Sequence, residues 1–126
     1  MGLKVLILED EHDMLEGLKN FFTAMGHNVF AALRGDEAIN ILEKEHPDVA
    51  LCDLHLKDSP VTGLDVVKKI SQDYRDTKVI IMTGFGADED VRAACMKHNP
   101  YLFLDKPLDL IKIQNTLLEI EKSRVK

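Results

Sequence analysis

This chain has few cysteines and fewer basic than acidic residues, and each of these features disfavours a class of function. The two cysteines, Cys52 and Cys95, fall in a predicted buried strand and a predicted helix, which is not the pattern of a small disulfide-stabilised secreted fold. Acidic residues outnumber basic ones by 22 to 16, and no run of Lys or Arg would neutralise several phosphates of a duplex. We therefore expect a cytoplasmic protein in a reducing setting, without direct binding of nucleic acid.

Long apolar segments are also absent, and no targeting signal is expected. The longest apolar stretches are far too short to span a bilayer, and the amino terminus leads into a predicted core strand without a basic region or a cleavage site. With 126 residues, 45% of them hydrophobic, the chain matches one compact domain over residues 1–126. We predict a single domain without membrane insertion.

The chain does contain a regular alternation of short β-branched runs and segments with helical periodicity. The predicted strands cover residues 5–8, 28–33, 49–53, 78–82 and 101–104. This alternation is typical of βαβ units, in which crossover helices connect parallel strands. The expected fold is α/β, a doubly wound five-stranded parallel sheet with helices on both faces.

Five helices are predicted from apolar stripes at helical spacing and from residues that begin or end helices. The first is expected to end at Gly26, and Thr62 with Asp65 forms a capping box for the third. The fourth begins near Ala87 and has the weakest stripe. The stripes expected to face the core are Met14, Leu15, Leu18, Phe21, Phe22 and Met25; Ala38, Ile39, Ile41 and Leu42; Leu64, Val67 and Ile70; Val91, Ala94 and Cys95; and Leu110, Ile113, Leu117 and Ile120.

Polar residues stand where four of the predicted strands end. Glu9 and Asp10 follow the first strand, and Asp53 ends the third. Thr83 follows the fourth strand and Lys106 stands just beyond the fifth. Because open parallel sheets carry their ligand sites at the carboxyl ends of the strands, these residues are expected to converge on one crevice.

The three carboxylates of that crevice indicate a metal ion. Carboxylates a few ångströms apart repel one another and would hold protons near neutrality unless a cation shared the site. An oxygen-only ligand set at an open edge suits Mg²⁺ better than zinc. The histidines show no ligand spacing, and four are expected at the surface or at helix caps: His12, His27, His46 and His98.

A carboxylate beside Mg²⁺ and a lysine is a nucleophile suited to attack on phosphorus. Asp53 is the candidate because it stands alone on its strand. Thr83 is expected to donate its hydroxyl to a phosphoryl oxygen, and Lys106 to place a positive charge on another. The site is therefore predicted to transfer a phosphoryl group.

These residues, in this order, resemble the receiver domains of two-component response regulators across essentially the whole chain. The resemblance implies a flavodoxin-like sheet with strand order 2-1-3-4-5, the order that doubly wound receivers share. It also implies that Asp10, Asp53 and the main-chain carbonyl of His55 bind Mg²⁺, with Glu9 acting through water. A switch aromatic at Phe103 and a cis Lys106-Pro107 bond are the remaining expectations.

The resemblance further implies a phosphorylation-activated switch in a two-component phosphorelay. Asp53 would accept a phosphoryl group from a sensor histidine kinase or a histidine phosphotransfer protein, and a partner surface on helix 4, strand 5 and helix 5 would then change. A homodimer through that surface is one form of output, and the downstream target is open. Such a domain is not an enzyme beyond catalysing its own aspartyl phosphorylation and dephosphorylation.

Two departures from the family pattern concern the rim of the crevice. The segment from Asp53 to Gly63 is two residues longer than the usual spacing, and Lys57 occupies a position where proline is common. Lys57 is interpreted as part of a solvated loop, close enough in sequence to Asp53 to touch an incoming phosphodonor. Phe85, two residues after Thr83, is expected to slow hydrolysis of the acyl phosphate through its bulk.

Two other functions are consistent with parts of this pattern. An aspartate-nucleophile phosphatase of the haloacid dehalogenase type also uses Asp, Thr, Lys and Mg²⁺, but its signature needs a second Asp where His55 stands. A receiver-like docking module that is never phosphorylated is the other alternative, and the intact Asp, Thr and Lys set argues against it.

Overall fold

The computed structural model describes residues 2–84 and 89–124, in which strands and helices alternate strictly. Each β-branched run of the sequence forms a strand, and each segment of helical periodicity forms a helix, the first four of which connect successive strands. The elements are β1 Lys4–Leu8, α1 His12–Ala24, β2 Asn28–Ala32, α2 Gly35–Glu45, β3 Val49–Asp53, α3 Gly63–Asp73, β4 Lys78–Thr83, α4 Glu89–Met96, β5 Leu102–Asp105 and α5 Leu110–Arg124.

The sheet has five parallel strands in the order β2-β1-β3-β4-β5, so the predicted fold class and strand order are confirmed. Successive residues of a strand point to opposite faces, which gives the sheet two cores. Val5 and Ile7 of β1 pack with α1 and α5, while Leu6 and Leu8 pack with α2, α3 and α4. With helices on both faces, β3 is buried at every position.

Several strands include polar residues that the apolar runs did not predict. β4 extends to Thr83, and β5 runs from Leu102 to Asp105 instead of beginning at Tyr101. Thr83 and Asp105 are partners in the sheet register. The ladder is made by main-chain groups, so a strand continues past the last apolar side chain for as long as its neighbour does.

Two predictions near the end of α1 are wrong. Met25, expected in the buried stripe, is 48% exposed because α1 ends at Ala24 and the chain turns at Gly26, whose φ is +96°. His27, expected at the surface, is only 5% exposed. The turn places its ring beside Phe22, and its Nδ1 accepts a hydrogen bond from the Leu3 N–H over 3.1 Å.

The start of α3 lies directly behind the candidate nucleophile. Thr62 Oγ1 accepts from the Asp65 N–H, and the Asp65 carboxylate accepts from the Thr62 N–H, so the predicted capping box is confirmed. At Gly63 a Cβ atom would lie 2.1 Å from the Asp53 carbonyl oxygen. Only glycine permits this approach, which fixes the main chain of Asp53 against the helix.

Gly63→Ala is therefore expected to lower the free energy of unfolding by about 1–3 kcal/mol, the usual cost of forcing atoms into a packed site. Urea denaturation at neutral pH would measure the change in midpoint. Gly17→Ala on α1 is the matched control, because a Cβ there meets nothing within 4 Å and alanine favours the helix. Equal stability of Gly63→Ala and wild type would contradict this packing.

α4 has the fewest buried side chains of the helices in the described part of the chain. Cys95 is its one buried side chain, whereas Val91 and Ala94 of the predicted stripe are half-buried. Its predicted start near Ala87 lies outside the described residues. No helix among residues 2–84 and 89–124 is long and apolar enough to cross a membrane.

Candidate functional site

The carboxyl ends of the strands bring five of the predicted site residues into one open pocket of about 620 Å³, namely Glu9, Asp10, Asp53, His55 and Lys106. Glu9 and Asp10 follow β1, Asp53 ends β3, and Lys106 follows β5. One carboxylate oxygen from each of the three acids lies within 4.8 Å of the other two. Thr83, the last residue of β4, neighbours Asp53 across the sheet through the pair Asp53 and Met82.

Lys106 links the two most deeply buried acids. Its Nζ donates to Glu9 Oε1 over 2.7 Å and to Asp53 Oδ2 over 2.9 Å. Glu9 is 1% and Asp53 2% exposed, so this ammonium replaces part of the water that both carboxylates give up. The main chain of Lys106 is also held, because its N–H donates to the Thr83 carbonyl over 2.8 Å.

Burial and charge shift two pKa values in the pocket. Burial raises the pKa of Glu9 above 4.5, and this effect outweighs the opposing hydrogen bonds from Lys106 and Glu11. Burial lowers the pKa of Lys106, but its hydrogen bonds to Glu9 and Asp53 outweigh that effect and leave the pKa raised above 10.5. Lys106 is therefore a full positive charge at neutral pH.

Asp53 and Asp10 each keep acceptor capacity for a ligand. Asp53 Oδ1 accepts from the His55 N–H over 3.0 Å, and Oδ2 accepts from Lys106. Asp10, at the rim, accepts at Oδ2 from the Lys57 N–H over 2.6 Å. A carboxylate oxygen has two lone-pair directions, so Asp53 has one left on each oxygen.

Two further predicted site residues, Thr83 of β4 and Phe103 of β5, are not among the described residues that line the pocket. Thr83 is fully buried, and among the described residues its hydroxyl makes one long contact, 3.4 Å to the Gly84 carbonyl, so a closer acceptor would bind it more strongly. Phe103 is half-buried, with the Arg92 guanidinium carbon 5.0 Å from its ring centroid. Phe85, expected to act on hydrolysis, lies outside the described residues.

Arg92 also forms an ion pair with Asp105, the residue before Lys106. The Lys106-Pro107 peptide bond is cis. Sequence reasoning missed Arg92 because no local pattern connects an arginine in α4 with residues of β5 that follow 11 and 13 positions later.

Sequence reasoning also missed what holds the loop between β3 and α3, residues 54–62. Arg34 Nη1 donates to the Asp58 carbonyl over 2.8 Å, and the Gly35 N–H donates to Ser59 Oγ over 3.0 Å. Asp58 adopts a left-handed conformation with a φ of +54°. The longer loop is thus attached to the start of α2 and borders the pocket.

The donor set at the pocket fits a hard divalent cation. Within the described residues, Glu9, Asp10 and Asp53 form the one cluster of potential metal ligands, and all its ligand atoms are carboxylate oxygens. Cys52 precedes Asp53 but is no competitor, because burial raises the pKa of its thiol to about 12 and keeps it protonated.

Comparison with known proteins identifies a matching family and a solved structure of the same fold. The sequence model of the response regulator receiver domain matches residues 5–118. Sporulation initiation phosphotransferase F of Bacillus subtilis (strain 168) is 27% identical over 117 residues, which cover 93% of this chain and 92% of that protein. The response regulator protein PilR of Pseudomonas aeruginosa is 33% identical over 111 residues, which cover 88% of this chain and 24% of PilR.

A solved structure gives the same result for the fold. A response regulator receiver domain protein (CheY-like) of Methanospirillum hungatei JF-1 superposes with a TM-score of 0.85 at 25% identity, covering 98% of this chain and 99% of that one. The chain therefore spans the whole of one such relative and about a quarter of another.

Proposed function

The chain belongs to the response regulator receiver domain family, and on that premise we propose that it is a phosphorylation-activated switch of a two-component phosphorelay with Asp53 as acceptor. The observation that carries the proposal is a nearly buried Asp53 carboxylate, bound by the Lys106 ammonium and next to two further acids at an open sheet edge. A nucleophile with a fixed cation at its side is what phosphoryl transfer to an aspartate requires.

In the proposed step an Asp53 oxygen attacks the phosphorus atom of a phosphohistidine. A phosphorus–oxygen bond forms, the phosphorus–nitrogen bond breaks, and its electron pair goes to the ring nitrogen. With the other ring nitrogen protonated, histidine leaves as neutral imidazole. Lys106 places its ammonium where negative charge gathers on the phosphoryl oxygens, and the Thr83 hydroxyl gains a stronger acceptor than the Gly84 carbonyl.

The residues present fit Mg²⁺, and we assign its binding to Asp10, Asp53 and the main-chain carbonyl of His55, with Glu9 acting through water. When bound, Mg²⁺ supplies positive charge that offsets the repulsion among carboxylates and phosphoryl oxygens. Lys106 keeps Glu9 and Asp53 in place for this role through its two hydrogen bonds.

The switch is proposed to run from Thr83 to Phe103 through paired main chains. Thr83 and Asp105 are register partners, and the Thr83 carbonyl binds the Lys106 N–H, so a shift of Thr83 toward the phosphoryl group acts directly on β5. Phe103 then repacks and changes the surface of α4, β5 and α5. Phosphorylation selects between two existing states and needs only a few kcal/mol of differential stabilisation.

The partners follow from the same proposal. A sensor histidine kinase or a histidine phosphotransfer protein supplies the phosphoryl group, and a protein target or a second copy binds the α4, β5 and α5 surface. The protein would act as a switch, catalysing only its own phosphorylation and dephosphorylation. The single receiver domain over residues 1–126 and the cytoplasmic location remain predictions from the sequence.

Intact-mass spectrometry after incubation with acetyl phosphate tests the proposal. We expect a gain of one phosphoryl mass that requires Mg²⁺, together with binding of beryllofluoride, a mimic of the acyl phosphate. The mimic guards against loss of the adduct by rapid hydrolysis. Absence of both signals would overturn the proposal in favour of an unphosphorylated docking module.

A further inference from the structure

The loop that borders the pocket holds one lysine at a fixed place on the rim. We propose that Lys57 captures anionic phosphodonors and determines which small donors Asp53 accepts. The favoured class is the acyl phosphates, which are dianions at neutral pH. This inference rests on the proposed function and concerns how the donor arrives, separately from the transfer itself.

The charges around the pocket give Lys57 this role. Four acidic residues line it, namely Glu9, Asp10, Glu11 and Asp53. With Mg²⁺ bound, their formal charge is balanced only when both Lys106 and Lys57 are counted, so a pocket without Lys57 would repel a phosphate dianion. The ammonium of Lys106 already binds two of these acids. Lys57 also lines the pocket, is exposed, and forms no ion pair with any residue in the described ranges. Within those ranges, Lys57 is therefore the lysine of the pocket that is not already bound to an acid.

The main chain around Lys57 is anchored on both sides of its side chain. Its N–H donates to Asp10 Oδ2 over 2.6 Å, and the carbonyl of the next residue, Asp58, accepts from Arg34 over 2.8 Å. Ser59 is bound to the Gly35 N–H. Although the loop is two residues longer than usual, these contacts hold the main chain of Lys57 at the rim of the pocket.

A lysine on the rim is expected to affect capture more than chemistry. With acetyl phosphate, an Asp53 oxygen forms the new bond to phosphorus while the bridging bond breaks and acetate leaves with its electron pair. Lys57 attracts the donor before that step. It therefore changes the second-order rate constant and its salt dependence, and leaves the lifetime of the acyl phosphate unchanged.

The test compares wild type, Lys57→Ala, Lys57→Arg and Lys97→Ala in Mg²⁺ at several salt concentrations. Alanine keeps the N–H that binds Asp10, so the loop anchor is preserved. Lys97 lines a different groove and provides the same change of net charge. We expect Lys57→Ala to react with acetyl phosphate about two- to fivefold more slowly at low salt, as for the loss of one exposed charge pair. Lys57→Arg and Lys97→Ala should react like wild type.

Phosphoramidate, a monoanion at neutral pH, serves as the second donor, and the Lys57→Ala loss should be smaller with it than with acetyl phosphate. Equal losses with both donors, or the same loss in Lys97→Ala, would overturn the inference. So would a changed acyl-phosphate lifetime, since it would place Lys57 in the phosphorylated site. If wild type gains no phosphoryl mass from either donor and binds no beryllofluoride, the proposed function fails first.

Discussion

Asp53→Asn is expected to remove phosphorylation entirely, so that acetyl phosphate and Mg²⁺ add no phosphoryl mass to the protein. The carboxylate is the proposed nucleophile, and a neutral amide has neither its charge nor its reactive lone pairs. Folding should survive, because the substitution keeps the shape of the side chain and removes one of three mutually repelling charges. Intact-mass spectrometry reads the loss directly.

Asp58→Asn is the matched control for this experiment. It makes the same chemical change five residues further along the chain, and asparagine tolerates the left-handed φ of +54° found there. It should gain one phosphoryl mass at a rate near that of wild type. An adduct on Asp53→Asn comparable to that on wild type would move the acceptor to another residue and refute the assignment.

Lys106→Met is expected to slow phosphorylation of Asp53 by about 10²-fold, in line with the loss of one group that stabilises developing negative charge. Methionine retains much of the aliphatic stem but leaves Glu9 and Asp53 buried without their common cation. At neutral pH, in EDTA, we expect a loss of about 2 kcal/mol in the free energy of unfolding, limited because the lysine side chain is 21% exposed.

The pH dependence of this stabilisation has a definite sign. The folded-state pKa of Lys106 is raised above 10.5, so the lysine contributes its full stability below that value and loses it as pH rises through the folded pKa. Rate and urea midpoint are therefore compared at pH 7. Lys69→Met, which breaks only an exposed pair with Asp73, is the control and should change neither quantity appreciably. A Lys106→Met protein that matches this control in both measurements would contradict the site.

The parts of this fold that the sequence predicted are those with a short repeat. Alternation of strand and helix patterns gave the α/β class, and the rule that polar residues end buried strands brought Asp10, Asp53 and Lys106 to one edge. The rule holds because all strands of a parallel sheet run in the same direction, so that their last residues lie at the same edge.

The parts that the sequence did not predict depend on contacts between distant segments. Arg34 reaches Asp58 and Arg92 reaches Phe103 across gaps that carry no periodic signal. His27 was misjudged for a related reason, since its burial depends on where the turn after α1 directs the chain. Each of these three features depends on tertiary packing, which local sequence propensity does not predict.

The approach of Gly63 to the Asp53 carbonyl means that the ends of the 54–62 loop are fastened where they leave the sheet and join α3. His55, Lys57, Asp58 and Ser59 of that loop make contacts of their own. Residues inserted at the exposed Pro60, beyond those contacts, must therefore bulge toward solvent and leave the acceptor unmoved. A protein engineer could therefore graft a foreign sequence at that position while the geometry of the acceptor stays the same.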